Sequence, residues 1–320
     1  MKNVLISAAG GSFFPYVYES LRARYNIFLT DQNKQLLQIH PGLPLVVLPP
    51  IQHPTFEARL RDTIVRHQID YYIPLIDEEL SIAQAMAKGI PSLKVIAPRT
   101  DFIQTCLDKN RLMEKLEALD ISVIPSTIAA TYDGSGPYPL FLKPNSGRGS
   151  RGALRVASRD QYDAYFVLHS YKKPEVLVQE YLEGVEYTVS VTVNSRNKII
   201  AIVPKKVICK KGITQHAITQ KNPSIEAVCS KIVTLMEPCG PFNVQLMKTS
   251  EGIQIFEINP RFSTTSLLTC EAGVNEFDLC IQNYDRPNVE RVDFTEGIGI
   301  WRRWESVFYR SPAGGRVGEE

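Results

Sequence analysis

A chain of 320 residues with 44% hydrophobic content is long enough for two or three lobes, each with its own core. Its 36 basic and 34 acidic residues leave a formal charge of +2, too near neutral for a nucleic-acid binder, so small molecules are the expected partners. No run approaches the roughly 20 apolar residues of a membrane span, the start of the chain goes straight into a strand, and a cytoplasmic protein is expected. The six cysteines show no CxxC spacing and the five histidines no zinc pattern, so the thiols are expected to be reduced and mostly structural.

Residues 2–8 read as a short apolar strand, Gly10-Gly11 as a turn, 17–24 as a helix and 25–30 as a second strand ending at Asp31. A third strand over 45–48, a helix over 55–67 and a strand over 71–75 that runs into Asp77-Glu78-Glu79 continue the alternation, which implies a parallel sheet. The AAGGS run is not GxGxxG and Asp31 lacks the rest of a ribose fingerprint, so the crevice of this lobe is as well suited to part of an acceptor substrate. Residues 96–100 read as a last strand and linker with a boundary near Pro98, and 101–119 as one or two helices. From Val123 short strands and turns, with a helix over 159–171, predict a smaller β-rich lobe able to move as a lid. Strands at 176–181, 187–194 and 198–204 and a helix at 224–237 follow, then a hairpin.

That hairpin, NVQLMKTSEGIQIFEINPR, carries Gln245, Glu257, Asn259 and Arg261 at odd positions, and alternation puts them on one face, with Val244, Leu246, Phe256 and Ile258 on the other. A turn centred near Ser250 sets Gln245 opposite Ile255 and diagonally beside Glu257, roughly 7 to 8 Å away. Gln, Glu and Asn offer only oxygen, which suits a hard ion such as Mg²⁺ carrying nucleotide phosphates, and the guanidinium suits an oxyanion. An ordinary hairpin with a polar solvent face has the same pattern.

Phe141-Leu142-Lys143-Pro144 places a lysine at a strand end before a loop with three glycines (Gly147, Gly149, Gly152) and two arginines (Arg148, Arg151). Such a loop can fold over phosphates, because glycine lets backbone N–H groups approach an anion and the lysine adds a point charge. It is not a Walker loop, and a mobile surface turn reads the same. The run from Val176 to Glu186 is an apolar strand ending in a polar hinge whose backbone can read an adenine edge, with Glu186 placed to accept a ribose diol; a solvated Glu-rich turn is the plainer alternative.

The order FLKP, glycine loop, VQEYLEGVEY, NVQ…FEINPRFS resembles the ATP-grasp superfamily, most closely the branch of carbamoyl-phosphate synthetase large-subunit halves and carboxylate-amine ligases. The resemblance implies an α/β (α+β) ATP-grasp fold. It divides into a Rossmann-like pre-ATP-grasp domain over 1–98, linker helices and lid over 99–182, a catalytic subdomain over 183–310 and a flexible tail over 311–320. It implies that Lys109 approaches the α-phosphate, that Lys143 bridges adenine and phosphate, and that Ser146, Gly147, Arg148, Gly149, Ser150 and Gly152 form the lid. Glu180, Tyr181 and Leu182 match the adenine hinge and Glu186 the ribose carboxylate. Gln245, Glu257 and Asn259 match magnesium ligands, with Glu257 bridging two ions, and Arg261 matches the residue that steadies an acyl-phosphate. Arg261, Lys143 and Asn259 are thereby the expected catalytic set, with ATP and two Mg²⁺, replaceable by Mn²⁺, as cofactors.

Two departures stand out: glutamine at the first metal position, where many relatives carry an acid although the synthetase branch is similar to this chain in using glutamine, so that one ion is expected to be held less tightly, and Ser263-Thr264-Thr265-Ser266 in place of a glycine-rich run. Those hydroxyls suit a carboxylate or bicarbonate, or simply a helix start. Lys205, Lys206, Lys210 and Lys211 read as a solvated strand, yet Lys205 and His216 are also candidates for substrate contacts by resemblance. Trp301, Arg302, Arg303 and Trp304 resemble a closing element of the last lobe. The implied activity is an ATP-dependent ligase joining a small-molecule carboxylate to an amine, with no nucleic-acid or membrane partner and room for a homodimer. A half-synthetase acting on bicarbonate or carbamate and a non-catalytic nucleotide-binding regulator are the alternatives.

Overall fold

The computed structural model describes residues 1–11, 14–40, 42–147, 149, 151–303, 306 and 308. Arg148, Ser150, Trp304 and the tail 311–320, all singled out above, lie outside them. Among the described residues no helix is long and apolar enough to cross a membrane.

The N-terminal lobe alternates as its sequence pattern requires: β1 (Lys2–Ile6), α1 (Phe14–Leu21), β2 (Tyr25–Asp31), α2 (Leu36–Ile39), β3 (Leu45–Val47), α3 (Phe56–Arg66), β4 (Tyr71–Ile73), α4 (Leu80–Gly89) and β5 (Lys94–Val95). The sheet is parallel in the order β3-β2-β1-β4-β5, so its direction of winding reverses between β1 and β4, where ligand crevices form at strand C-termini. The last strand is shorter and earlier than expected, because Ile96 onward leaves the sheet for the linker. Asp31 does not present a free carboxylate: it accepts from the backbone N–H groups of Gly10 at 2.8 Å and Asn33 at 2.9 Å and serves the turn.

Two helices follow, α5 (Thr100–Leu107) and α6 (Lys109–Ala118), separated by Asp108, whose carboxylate accepts from Arg111 N at 3.0 Å and so caps α6. Their apolar faces (Phe102, Leu112, Leu116) pack on the C-terminal sheet and not in the small lobe with which the sequence division groups them. The small lobe comprises β6 (Ser126–Ile128), β7 (Leu140–Pro144), β8 (Leu154–Val156), α7 (Arg159–His169) and β9 (Val176–Glu180), an antiparallel sheet in the order β6-β9-β7-β8. Tyr162 and Tyr165 of α7 fill its core.

The third sheet contains β10 (Val185–Val193), β11 (Ile199–Lys211), β12 (Ile213–Thr219), β13 (Phe242–Lys248), β14 (Ile253–Asn259) and β15 (Gly299–Trp301), in the order β14-β13-β10-β11-β12-β15. One face, with Val189, Val191, Val244, Leu246 and Ile258, is closed by α5, α6 and α8 (Pro223–Met236). The opposite face carries Thr188, Ser190, Lys205 and Gln245, polar residues that alternate with the apolar set. Helices α9 (Ser266–Glu271) and α10 (Glu276–Gln282) follow the hairpin, and Phe262, Phe277 and Ile281 join Val4 and Ile6 in one core, which fuses the last elements of the chain to its first sheet.

The hairpin register corrects the sequence reading. Gln245 pairs directly with Glu257 and Leu246 with Ile255, so Phe256 is an extra residue, a β-bulge. Alternation breaks there: Ile255 takes the core position, and Phe256, expected on the oily face, turns to the same side as Glu257.

Candidate active site

A cavity of about 890 Å³ separates the small lobe from the six-stranded sheet. Its roof brings Lys143, Ser146, Gly147 and the hinge residues Glu180, Tyr181 and Leu182; its floor brings Glu186, Lys210, Phe256 and Glu257. A second cavity of about 250 Å³ continues from it through Lys109, Ser146, Gly147 and Glu257 toward Asn259 and, from the N-terminal lobe, Asp77 and Glu78.

Lys143 sits near the end of β7, 5% exposed, and donates to the Phe256 carbonyl at 2.9 Å with its ammonium 5.4 Å from that ring's centre. Burial pulls its pKa down to about 7; the Glu257 carboxylate partly opposes this, and Lys109 and Lys210 add to it. Lys109 opens α6, is likewise buried, and donates to the Gly147 carbonyl at 2.9 Å, tying the loop down. Gly152 has φ +69°, and a Cβ there would meet the Tyr171 ring at 2.8 Å, so the loop needs glycine where it folds back on the small lobe. Gly184 serves the hinge similarly: a Cβ would lie 2.7 Å from the Lys248 carbonyl, and only glycine lets the chain drop onto β13 and deliver Glu186.

Glu186 accepts from Lys210 Nζ at 2.6 Å, and the same ammonium donates to Gln245 Oε1 at 3.0 Å. Gln245 and Glu257 are cross-strand neighbours, a spacing of roughly 5 Å between Cβ atoms, and Asn259 follows two residues on. This donor set of one carboxylate and two amides fits a hard dication that shares its coordination with phosphate oxygens. No group of three or more His, Cys, Asp or Glu side chains able to hold a metal occurs among the described residues.

Arg261 is clamped from across the cleft. Its Nε donates to Asp77 Oδ1 at 2.5 Å and Nη2 to Asp77 Oδ2 at 3.3 Å, a fork on a carboxylate 184 residues away, while Nη2 also reaches Asn259 Oδ1 at 3.4 Å. The guanidinium therefore ties Asn259 to Asp77 of the N-terminal lobe, and both of those residues line the second cavity.

The substrate-contact candidates fall elsewhere. Lys205, grouped with a solvated strand, is fully buried and donates to Ser190 Oγ and Thr269 Oγ1, each at 2.7 Å, beneath α9. His216 packs tilted against Trp301 at 4.6 Å between centroids and lines neither cavity. Ser263 to Ser266 form the turn that starts α9, with Ser263 Oγ accepting from Thr265 N at 3.1 Å, and Arg302 fixes that turn by donating to the Thr264 carbonyl and, at 3.0 Å, to the Thr214 carbonyl. Lys210, Phe256 and Asp77 are the residues sequence reasoning missed. Lys210 was hidden in a lysine-rich run whose strand continues past residue 204, and Asp77 read only as the acidic end of β4.

Three sheets around such a cleft constitute the ATP-grasp fold. The L-amino acid ligase from Bacillus licheniformis superposes with a TM-score of 0.70 at 17% identity, covering 90% of this chain and 75% of that one. The biotin carboxylase domain of the Hydrogenobacter thermophilus 2-oxoglutarate carboxylase, solved with MgADP, ADP and bicarbonate, superposes at 0.72 with 14% identity over 92% and 71% of the two chains. In sequence, residues 172–302 match the family described as ATP-grasp in the biosynthetic pathway with Ter operon. The arginine-specific carbamoyl phosphate synthase large chain of Halalkalibacterium halodurans is 24% identical over 216 residues, 62% of this chain but only 20% of that protein, so the match spans about a fifth of the relative. The chain thus has the ATP-grasp fold and, over residues 172–302, matches an ATP-grasp family in sequence.

Proposed function

We propose that the chain is an ATP-dependent ligase that transfers the γ-phosphoryl group of ATP to a small-molecule carboxylate and lets an amine displace phosphate from the acyl-phosphate, releasing ADP and phosphate. The observation that carries this reading is the pair of adjoining cavities that share Glu257 and the buried Lys109, with the buried Lys143 on the lid side of the larger one and Asn259 in the smaller. The similarity to an L-amino acid ligase and to a domain solved with MgADP supports it.

In this reading the backbone of Glu180 to Leu182 takes the adenine edge and Glu186 the ribose. Lys109 and Lys143 neutralise phosphate oxygens, and Gln245, Glu257 and Asn259 hold Mg²⁺, which supplies further charge neutralisation at the transferring group. Acceptor substrates occupy the smaller cavity between Asn259 and the N-terminal lobe.

Incubation with ATP, Mg²⁺, pools of amino acids and hydroxylamine is expected to give ADP, phosphate and a hydroxamate. AMP and pyrophosphate as products would end the acyl-phosphate scheme.

Lys143 makes a second expectation. Its depressed pKa leaves much of it neutral above about pH 7 in the free protein, whereas bound phosphates favour the ammonium. Nucleotide binding therefore takes up close to one proton at about pH 8 and little at about pH 6, and affinity falls by up to about tenfold per unit above pH 7. Calorimetry in two buffers of different ionisation enthalpy reads the uptake directly; equal apparent enthalpies at about pH 8 would contradict it.

A further inference from the structure

Building on the nucleotide reading above, we infer that Ser126, a residue of β6 that lines neither cavity, decides which purine the hinge accepts, by fixing the side-chain amide of Gln179 so that its carbonyl oxygen faces the base. Ser126 and Gln179 are direct cross-strand neighbours between β6 and β9, and on its other side Gln179 is paired with Phe141 of β7. The three side chains therefore share one face of the small sheet. Gln179 is 2% exposed and lines the larger cavity beside Phe141, immediately before the hinge residues Glu180 to Leu182.

The orientation of the amide follows from where the hydroxyl hydrogen goes. Ser126 Oγ stands 2.6 Å from the Ile124 carbonyl oxygen, a contact that requires the hydroxyl to donate its one hydrogen there. The same Oγ lies 2.7 Å from the Gln179 amide, and with its hydrogen already committed it can only accept, so the group it meets is Nε2. The opposite end of the amide, Oε1, has no donor among the described residues and is not among the sealed unpartnered atoms, so it opens on the cavity that Gln179 lines.

A fixed acceptor at a base edge discriminates between purines. The hinge backbone offers both N–H and carbonyl groups, which can pair with the edge of either purine in one register or another. A carbonyl oxygen held beside it pairs with the 6-amino group of adenine but meets the O6 of hypoxanthine or guanine acceptor to acceptor. Turned end for end, the same amide would present Nε2 and reverse the choice. Ile124, Val185 and Met247, apolar residues of the same lining, give contact that any flat purine shares, so the preference rests on the amide.

Calorimetric titration of the intact chain with ATP and with inosine triphosphate, each with Mg²⁺, tests this. The two nucleotides differ only in that hypoxanthine carries O6 and N1–H where adenine has its 6-amino group and bare N1. The wild type is expected to hold ATP about thirtyfold more tightly, and Ser126→Thr, which keeps the hydroxyl, to retain that ratio. Ser126→Ala frees the amide to turn, and the ratio should fall to within about threefold, chiefly through tighter inosine triphosphate. A merely structural loss would weaken both nucleotides alike and leave the ratio standing. Gln179→Met removes the acceptor itself and should collapse the ratio through weaker ATP, which decides the matter if thermal melts show that Ser126→Ala has not folded. A wild type that holds the two nucleotides alike, a folded Ser126→Ala or Gln179→Met chain with the wild-type ratio, or a Ser126→Thr chain without it, overturns the inference and leaves the ligase reading standing. Failure of the folded wild type to bind either nucleotide overturns both.

Discussion

Glu257→Gln is expected to lower turnover by about 10³-fold or more, which corresponds to roughly 4 kcal/mol of transition-state stabilisation. Glu257 is the one carboxylate among Gln245, Glu257 and Asn259, and it lines both cavities at the point where they meet. Substituting the isosteric amide keeps the volume and the strand pairing with Gln245 but removes the charge that a dication needs from the protein. It also removes the group that opposes the fall of the Lys143 pKa, so the roof loses cationic character as the floor loses its anion. Both effects act on bound phosphates and neither on the core, since Ile255 and Ile258 fill the apolar side of the same strand. Steady-state ADP release should collapse while the melting temperature stays near that of the wild type. Turnover within a few-fold of wild type would remove the metal assignment.

Lys205→Ala is expected to act in the opposite manner, on stability before activity, with a loss of roughly 3–5 kcal/mol. The Lys205 ammonium is 0% exposed and reaches Glu276, itself 1% exposed, through Ser190: it donates to Ser190 Oγ at 2.7 Å, and that hydroxyl donates to Glu276 Oε1 at 3.2 Å. Burial lowers the Lys205 pKa to about 8, with Glu276 opposing, and burial raises that of Glu276, with Lys205 opposing. Removing the cation alone leaves a buried carboxyl with only hydroxyl partners, Ser190 and Thr192 among them. Pairing Lys205→Met with Glu276→Gln should recover most of the loss, because the charge and its counter-charge then leave together. Denaturant melts of the single and double variants decide the matter; a double variant no more stable than Lys205→Ala would dispose of the ion-pair reading.

How much of this could be read from residues alone follows from which interactions are local. The parallel N-terminal sheet was legible because strand and helix alternate with simple periodicity, and the hinge and lysine loop because their order along the chain is distinctive. That Gln245, Glu257 and Asn259 fall on neighbouring positions of one hairpin was legible too, as the strand pattern carries it. The register was not: nothing in a period-two pattern announces that Phe256 is an extra residue and that two successive side chains face the cleft. Nor does a run of lysines say which one is buried. Lys205 differs from Lys206 and Lys210 only because cross-strand pairing sets it beside Thr188 and beneath Thr269 of α9. The partnership of Asp77 with Arg261 depends on two lobes meeting, and the helix start at Ser263 to Ser266 on a turn that hydroxyl-rich sequence shares with anion sites.

The Asp77–Arg261 fork has a mechanical meaning. With both side chains only about a tenth exposed, 10% and 13%, parting them would strand two opposite charges at a cost of several kcal/mol, and the shared core of Phe262, Phe277 and Val4 reinforces the weld. The first and third sheets therefore travel as one chassis. Any gape that admits a triphosphate has to come from the four-stranded lobe, whose ties across the cleft include the single bonds Lys109 to Gly147 and Lys143 to Phe256, easily traded for phosphate oxygens.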